Sequence, residues 1–220
     1  MKYISPIILF TVLLCTSITF SQRNFKEFNI IGISGGITLY DIITNDLQTK
    51  RGESLMFGLQ MRGNVYNNFD MLYGIAFYDT KIGIAGSSLG PLGTSKFINY
   101  TMQSAQISVL WGYKIIKNHL SIEGGPILNV NGKLTLKDTQ FKNDILDGYT
   151  TLRAVDIEDV SKANFHAAIG MTAGFRNFRI FTQYQYGVTN ILNKLNSQNL
   201  ENTGFKGNSS LLVFGATVYL

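Results

Sequence analysis

Cysteine is nearly missing from this chain. Cys15 is the only one in 220 residues, and it lies in an apolar leader. With that leader removed, disulfides, thiolate metal sites and a cysteine nucleophile are all excluded. Proline is scarce too, at 3 residues, and charged residues make up only 15%. Beyond the leader no run reaches the ~18 apolar residues that a membrane helix needs. The formal charge is +5, yet no Lys/Arg cluster of the kind that holds nucleic acid accompanies it. What is present is glycine, at 22 residues, in a chain that is 45% hydrophobic.

The leader reads as an export signal. Lys2 supplies a positive start, Ile4 to Ile18 form an apolar core interrupted by Ser5-Pro6, and Thr19-Phe20-Ser21 offers small residues where a signal peptidase reads. Cleavage after Ser21 assigns 1–21 to a signal peptide and 22–220 to the mature domain. Losing Lys2 takes the formal charge from +5 to +4. Leu14, before Cys15, is too large for a lipoprotein signal, and an uncleaved helical anchor is the remaining alternative.

The mature chain repeats a period of two. Strands are expected at 28–40, 53–66, 69–82, 97–114, 118–132, 162–175, 178–190 and 208–220, each near the length that crosses a bilayer at a tilt. One side of each is apolar: Ile31, Ile33 and Ile37 in the first, Leu55, Phe57, Leu59 and Met61 in the second, Leu212, Phe214, Ala216 and Val218 in the last. The other side holds Gly, Ser, Thr, Gln, Asn and a few charges. Connections alternate in length. Asn67-Asn68, Lys117-Asn118 and Arg176-Asn177 read as tight turns whose Asn tolerates positive φ. Long polar connections run over 41–52, 83–96, 133–161 and 191–207. The expectation is all-β: an eight-stranded antiparallel up-and-down transmembrane β-barrel of a Gram-negative outer membrane, with turns periplasmic and loops outside.

A soluble lipocalin-type barrel is the rival, with its apolar face inward. The glycine-rich mixed face suits a narrow interior. Trp111, Tyr113, Phe175, Phe178, Tyr184 and Tyr186 on the apolar face suit an interfacial aromatic girdle. Both favour the membrane barrel.

Together with the leader ending Thr-Phe-Ser-Gln and the eight strands, Tyr186-Gly187-Val188-Thr189-Asn190-Ile191 resembles the Bacteroidetes outer-membrane β-barrel family that includes PorT-like proteins. The resemblance covers essentially the whole mature chain, and its motifs are patterned glycines and aromatics. It implies an outer-membrane barrel and, for PorT itself, assembly of a gliding and secretion apparatus. It brings no catalytic or binding motif.

The lumen face carries the candidate site. Arg62 and Glu123 each stand about five residues above a short turn and point inward, at a height of roughly 12–13 Å. An Arg62–Glu123 ion pair braced by Gln60 and Gln183 is expected, serving either as a gate or ligand site or as a plug; the plug is favoured. His166 points inward nearer the long loops; an enzyme reading would make it the base of a lipid acylase or deacylase, but no nucleophile motif frames it. His119 lies in a turn, where solvation is expected. The glycine-rich 83–93 segment lacks the Gly-Lys-Ser ending of a phosphate loop and reads as a flexible outer loop. Asp138, Asp144, Asp147, Asp156, Glu158 and Asp159 interleave with Lys133, Lys137, Lys142 and Arg153, which favours a solvated or partner-contacting loop over a cation site. Lys114, Lys117, Arg176 and Arg179 read as a rim for lipid phosphates. No metal, cofactor, enzymatic activity or nucleic-acid partner is expected. Expected partners are outer-membrane lipids and other envelope or secretion-system proteins, with a narrow channel or a lipid-modifying barrel enzyme as alternatives.

Overall fold

A computed structural model describes residues 30–88 and 90–220; the leader, Cys15 and the cleavage site lie outside the described residues. The described chain forms β1 (Ile30–Ile43), β2 (Thr49–Tyr66), β3 (Phe69–Ser87), β4 (Lys96–Ile116), β5 (Leu120–Asn131), the short β6 (Thr135–Leu136) and β7 (Ile145–Leu146), then β8 (Ala163–Gly174), β9 (Phe178–Gly187) and β10 (Asn208–Tyr219). No helix among the described residues is long and apolar enough to cross a membrane, which leaves crossing by strands untouched.

Eight strands close on themselves. Each pairs antiparallel with its chain neighbour, β5 with β8 across the longest connection, and β10 returns to β1. At that seam Gly36 lies opposite Gly215. A Cβ on Gly36 would stand 2.3 Å from the carbonyl oxygen of Phe214, so this crossing admits nothing larger than glycine. The apolar rows face outward: Ile31, Ile37, Leu55, Phe57, Leu59, Ile75, Ile107, Ile169 and Ile180 are exposed, while their alternates are buried or half-buried. From Leu55 to Val65, at ~3.3 Å per residue and a ~40° tilt, this band rises about 25 Å, the height of a bilayer core. An eight-stranded transmembrane barrel follows, since a soluble barrel turns that face inward.

The short turns share one end with both described termini. Asn67 (φ 45°) and Asn118 (φ 64°) take the left-handed conformation at two of them. The third turn departs from expectation: the positive φ falls on Gly174 (148°), where a Cβ would also meet the Phe178 carbonyl at 2.3 Å, and Asn177 is not left-handed.

The long-loop end differs most from the sequence expectation. β3 continues to Ser87, so Gly83 to Ser87 form strand rather than flexible loop. From Ile82 to Ser87 every residue is buried, so both faces are covered and the period of two disappears. The β3–β4 hairpin outruns its neighbours, and the 132–162 connection pairs its free edges: Leu136 with Tyr100, where β5 has ended, and Leu146 with Gly86, where β2 has ended. Leu134, Leu146, Leu152, Ile157, Ile191, Leu195 and Phe205 then pack with Tyr40, Ile98 and Tyr100 into one apolar core. The expected solvated loop is a folded headpiece.

Its acids are engaged within that packing. Asp144 pairs with Lys96 at 2.9 Å, Asp156 with Arg153 at 2.8 Å and Asp159 with Lys194 at 2.6 Å. Asp138 caps the turn at Thr139–Phe141, Asp147 bonds Ser95, and Glu158 accepts from the Leu136 amide at 3.2 Å. Among the described residues no cluster of metal-ligating side chains occurs.

Candidate functional site

Strand parity gathers charge inside the short-turn end. On β2, Met61 and Gly63 flank Arg62, and the exposure of Met61 turns Arg62 inward. Glu123 on β5 lies between Gly112 of β4 and Gly170 of β8, two partners too small to crowd its side chain. The structure brings Arg62 and Glu123 into a direct ion pair. Asp70, Lys114, Asn64 and Tyr219, none of which sequence reasoning placed here, complete the layer. Asp70 of β3 accepts from Arg62 Nη1 at 3.0 Å and pairs with Lys114 Nζ at 2.8 Å. Lys114 also donates to Asn64 Oδ1 at 2.9 Å. Arg62 Nε donates to the Tyr219 hydroxyl at 3.3 Å, which donates in turn to Gln60 Oε1 at 3.1 Å. Gln60 therefore braces the pair through Tyr219. Gln183 does not reach it; its Oε1 accepts from Gln185 at 2.9 Å.

Every charged member of this layer is less than a tenth exposed. An unpaired charge so placed would cost several kcal/mol, so the reciprocal pairing is what lets these residues lie inside at all. The missed residues had a signal. Asp70 shares parity with Leu72, Lys114 with Gly112, and Arg179 sits between outward Phe178 and Ile180. Lys114 and Arg179 are accordingly buried inside the barrel and do not form a rim for lipid phosphates; Lys117 and Arg176 are the exposed pair.

Above the charge layer a cavity of about 60 Å³ remains, lined by Gln60, Tyr78, Gln106, Phe181, Gln183 and Gln185 among others. Higher still, Asn131 donates to Asn164 Oδ1 at 2.8 Å and Asn164 to Thr189 at 2.9 Å. His166 is buried in this upper half, and neither ring nitrogen bonds a hydroxyl or carboxylate among the described residues. The pair that acyl transfer needs is not assembled around it. His119 is exposed, but its Nδ1 lies 3.0 Å from the Gly174 carbonyl, and its ring stands edge-on to Phe175.

The Tyr186–Ile191 segment anchors the headpiece. Thr189 Oγ1 accepts from the Phe165 amide at 3.1 Å, Asn190 Oδ1 accepts from the amides of Leu192 and Gly207 at 3.0 and 2.9 Å, and Ile191 is fully buried. All six aromatics expected at the interface face outward. Trp111, Tyr113, Phe175 and Phe178 cluster near the short turns, and Tyr184 and Tyr186 lie toward the long loops.

No protein-family model matches the chain, and no curated protein matches it by sequence. Among solved structures, Ail, the attachment invasion locus protein of Yersinia pestis, shares 14% identity over 88% of this chain and 100% of its own, at a TM-score of 0.48. Neisserial surface protein A shares 11% over 86% and 96%, at 0.47. The outer membrane protein OprG of Pseudomonas aeruginosa shares 9% over 87% and 96%, also at 0.47. The barrel itself is established by its closed ring of strands, independently of these likenesses.

Proposed function

We propose that this is a signal-exported protein of the Gram-negative outer membrane that acts without catalysis, presenting its headpiece outside the cell to other envelope or secretion-system proteins. One observation carries this reading. The long connections are packed around a common apolar core, whereas side chains narrow the lumen beneath them to a cavity of about 60 Å³. A packed surface keeps one shape and offers a partner a pre-ordered site, which lowers the entropic cost of docking. The resemblance to PorT-like proteins points toward secretion accessories within that class, with outer-membrane lipids surrounding the band.

A pull-down from outer membranes tests it. A reproducible partner set should be captured by the intact chain and by a lumen variant such as Gln183→Ala, and lost when the headpiece is loosened by Phe205→Ala. Finding no specific partner, or one indifferent to the headpiece, would sink the proposal. The small cavity between charge layer and headpiece motivates a second reading, a narrow channel. Steady ion conductance in planar bilayers would favour it; a silent bilayer is expected.

A further inference from the structure

The outward wall from β2 to β5 is not smooth. Phe57, Phe77, Ala105 and Val130 stand side by side in one row, each paired with the next across a strand boundary. Phe57, Phe77 and Val130 are exposed, and the small Ala105 between the last two leaves a gap in the apolar face. One step higher, Gln103 and Gly132 continue the gap: the Gly132 amide donates to the Gln103 carbonyl at 2.8 Å, and Gly132 adds no side chain. The result is an open trough of about 840 Å³ that rises through the membrane band to its outer edge, at the height of Leu55. Phe77 and Val130 lie two strands apart, about 10 Å between backbones. Less than that remains between their side chains, which excludes a helix some ~10–12 Å across and leaves room for a single acyl chain.

Cations gather at its upper end. Lys133 directly follows Gly132, and the carbonyl of Lys162, at the entry to β8, accepts from the Asn131 amide at 2.7 Å. Both lysines are exposed. Lys194 takes the Asp159 carboxylate at 2.6 Å, while Lys133 and Lys162 act on that carboxylate through space and close no ion pair of their own among the described residues. The Lys194 hydrogen bond, followed by the charges of all three lysines, holds the Asp159 carboxyl below its ordinary range. Glu158, the adjacent acid, gives its carboxylate to the Leu136 amide at 3.2 Å. Across the trough, Asp79 stands on the far lip, with Lys81 two residues along the same face. Three ammonium groups therefore share Asp159 at the height where lipid phosphates lie. A lysine at a bilayer edge can rest its stem on apolar surface and offer its head to such a phosphate.

We propose that this trough binds a phosphate-bearing lipid of the outer leaflet, with one acyl chain over Ala105 and Gly132 and the headgroup phosphate on Lys133 and Lys162. The leaflet rests on the headpiece lying outside the cell, and not on which protein docks there. The trough is continuous with the band that meets hydrocarbon, which makes an acyl chain its natural filling. The lysines at its head then select among lipids, because a neutral headgroup offers them no charged acceptor.

The refolded full chain in phosphatidylcholine nanodiscs is titrated with phosphatidic acid, and the amide resonances of Ala105, Gly132 and Lys133 are followed by NMR. Dioleoylglycerol, with chains but no phosphate, and inorganic phosphate, with no chains, serve as controls. Phosphatidic acid should shift these resonances saturably, and each control should shift them far less. Lys133→Gln combined with Lys162→Gln should weaken the response about tenfold, the size of one charge-assisted hydrogen bond. Ala105→Leu fills the trough and should weaken it as well; the lysine variants, on exposed surface, keep the test open if the leucine variant fails to fold. A response that does not saturate, one matched by either control, or one undiminished in the folded variants overturns the proposal. So does native mass spectrometry that shows a second copy of the chain in place of a bound lipid. None of these outcomes bears on the capture of envelope partners, which reads the headpiece.

Discussion

At the residue scale, the lumen is governed by who pairs with whom. Arg62 is shared by Glu123, Asp70 and Tyr219, and removing it strands the buried Glu123 carboxylate and leaves Asp70 to Lys114. Arg62→Leu is therefore expected to destabilise the barrel by about 3–5 kcal/mol, the loss typical of a broken buried pair. Urea unfolding in lipid vesicles would measure this, alongside conductance that stays at baseline. Unchanged stability with new conductance would instead make the pair a gate. Glu201 shows the same logic outside the membrane. Its carboxylate accepts from the amides of Thr150, Thr151 and Leu152 at 2.6–3.1 Å, stapling the 188–207 connection to the 132–162 connection. These bonds hold its pKa down to about 2. Because the folded value lies below the ordinary 4.5, the staple is fully present above that value and lost as pH falls toward 2. An NMR titration of the Thr151 amide should follow that window, and Glu201→Gln should abolish the transition.

At the scale of elements, closure depends on backbones that approach without side chains. Gly36 and Gly215 face each other across the β1–β10 seam, and Gly215 also leaves room for Phe181, whose Cζ would be 2.6 Å from an added Cβ. Gly36→Val should cost at least about 1–3 kcal/mol by overpacking. Its effect should appear as a fraction of chain that never gains heat-resistant mobility on gels, and a normal yield of closed barrel would contradict this account. The strand assignments were largely legible here, because a strand with lipid on one side and lumen on the other must alternate. Legibility ended at Ile82, where cover on both faces removed the alternation.

At the scale of the whole molecule, the headpiece and the barrel are two packings in one chain. Phe205 is fully buried among loop residues, with its ring 6.1 Å from that of Tyr149, whose hydroxyl donates to the Asp46 carbonyl at 2.8 Å. Phe205→Ala is expected to weaken the headpiece by about 3–5 kcal/mol through lost burial and a cavity. Limited proteolysis should then cut the 132–162 and 188–207 connections while the strands remain protected. Equal resistance in variant and parent would mean that the core is not shared.

The linear chain, by itself, determined the closed ring and which face meets lipid, because alternation and turn length are local properties that each segment carries alone. It also determined that Arg62 and Glu123 face the lumen at one height, since parity and distance from a turn are countable. Only the tertiary structure decided that Asp70, Lys114 and Tyr219 join that pair, and that Arg179 does not. Which charges meet across a lumen depends on the stagger between strands, set by closure of the whole ring. The headpiece, likewise, exists only because connections distant in sequence cover one another's apolar residues, a burial that none of them achieves alone.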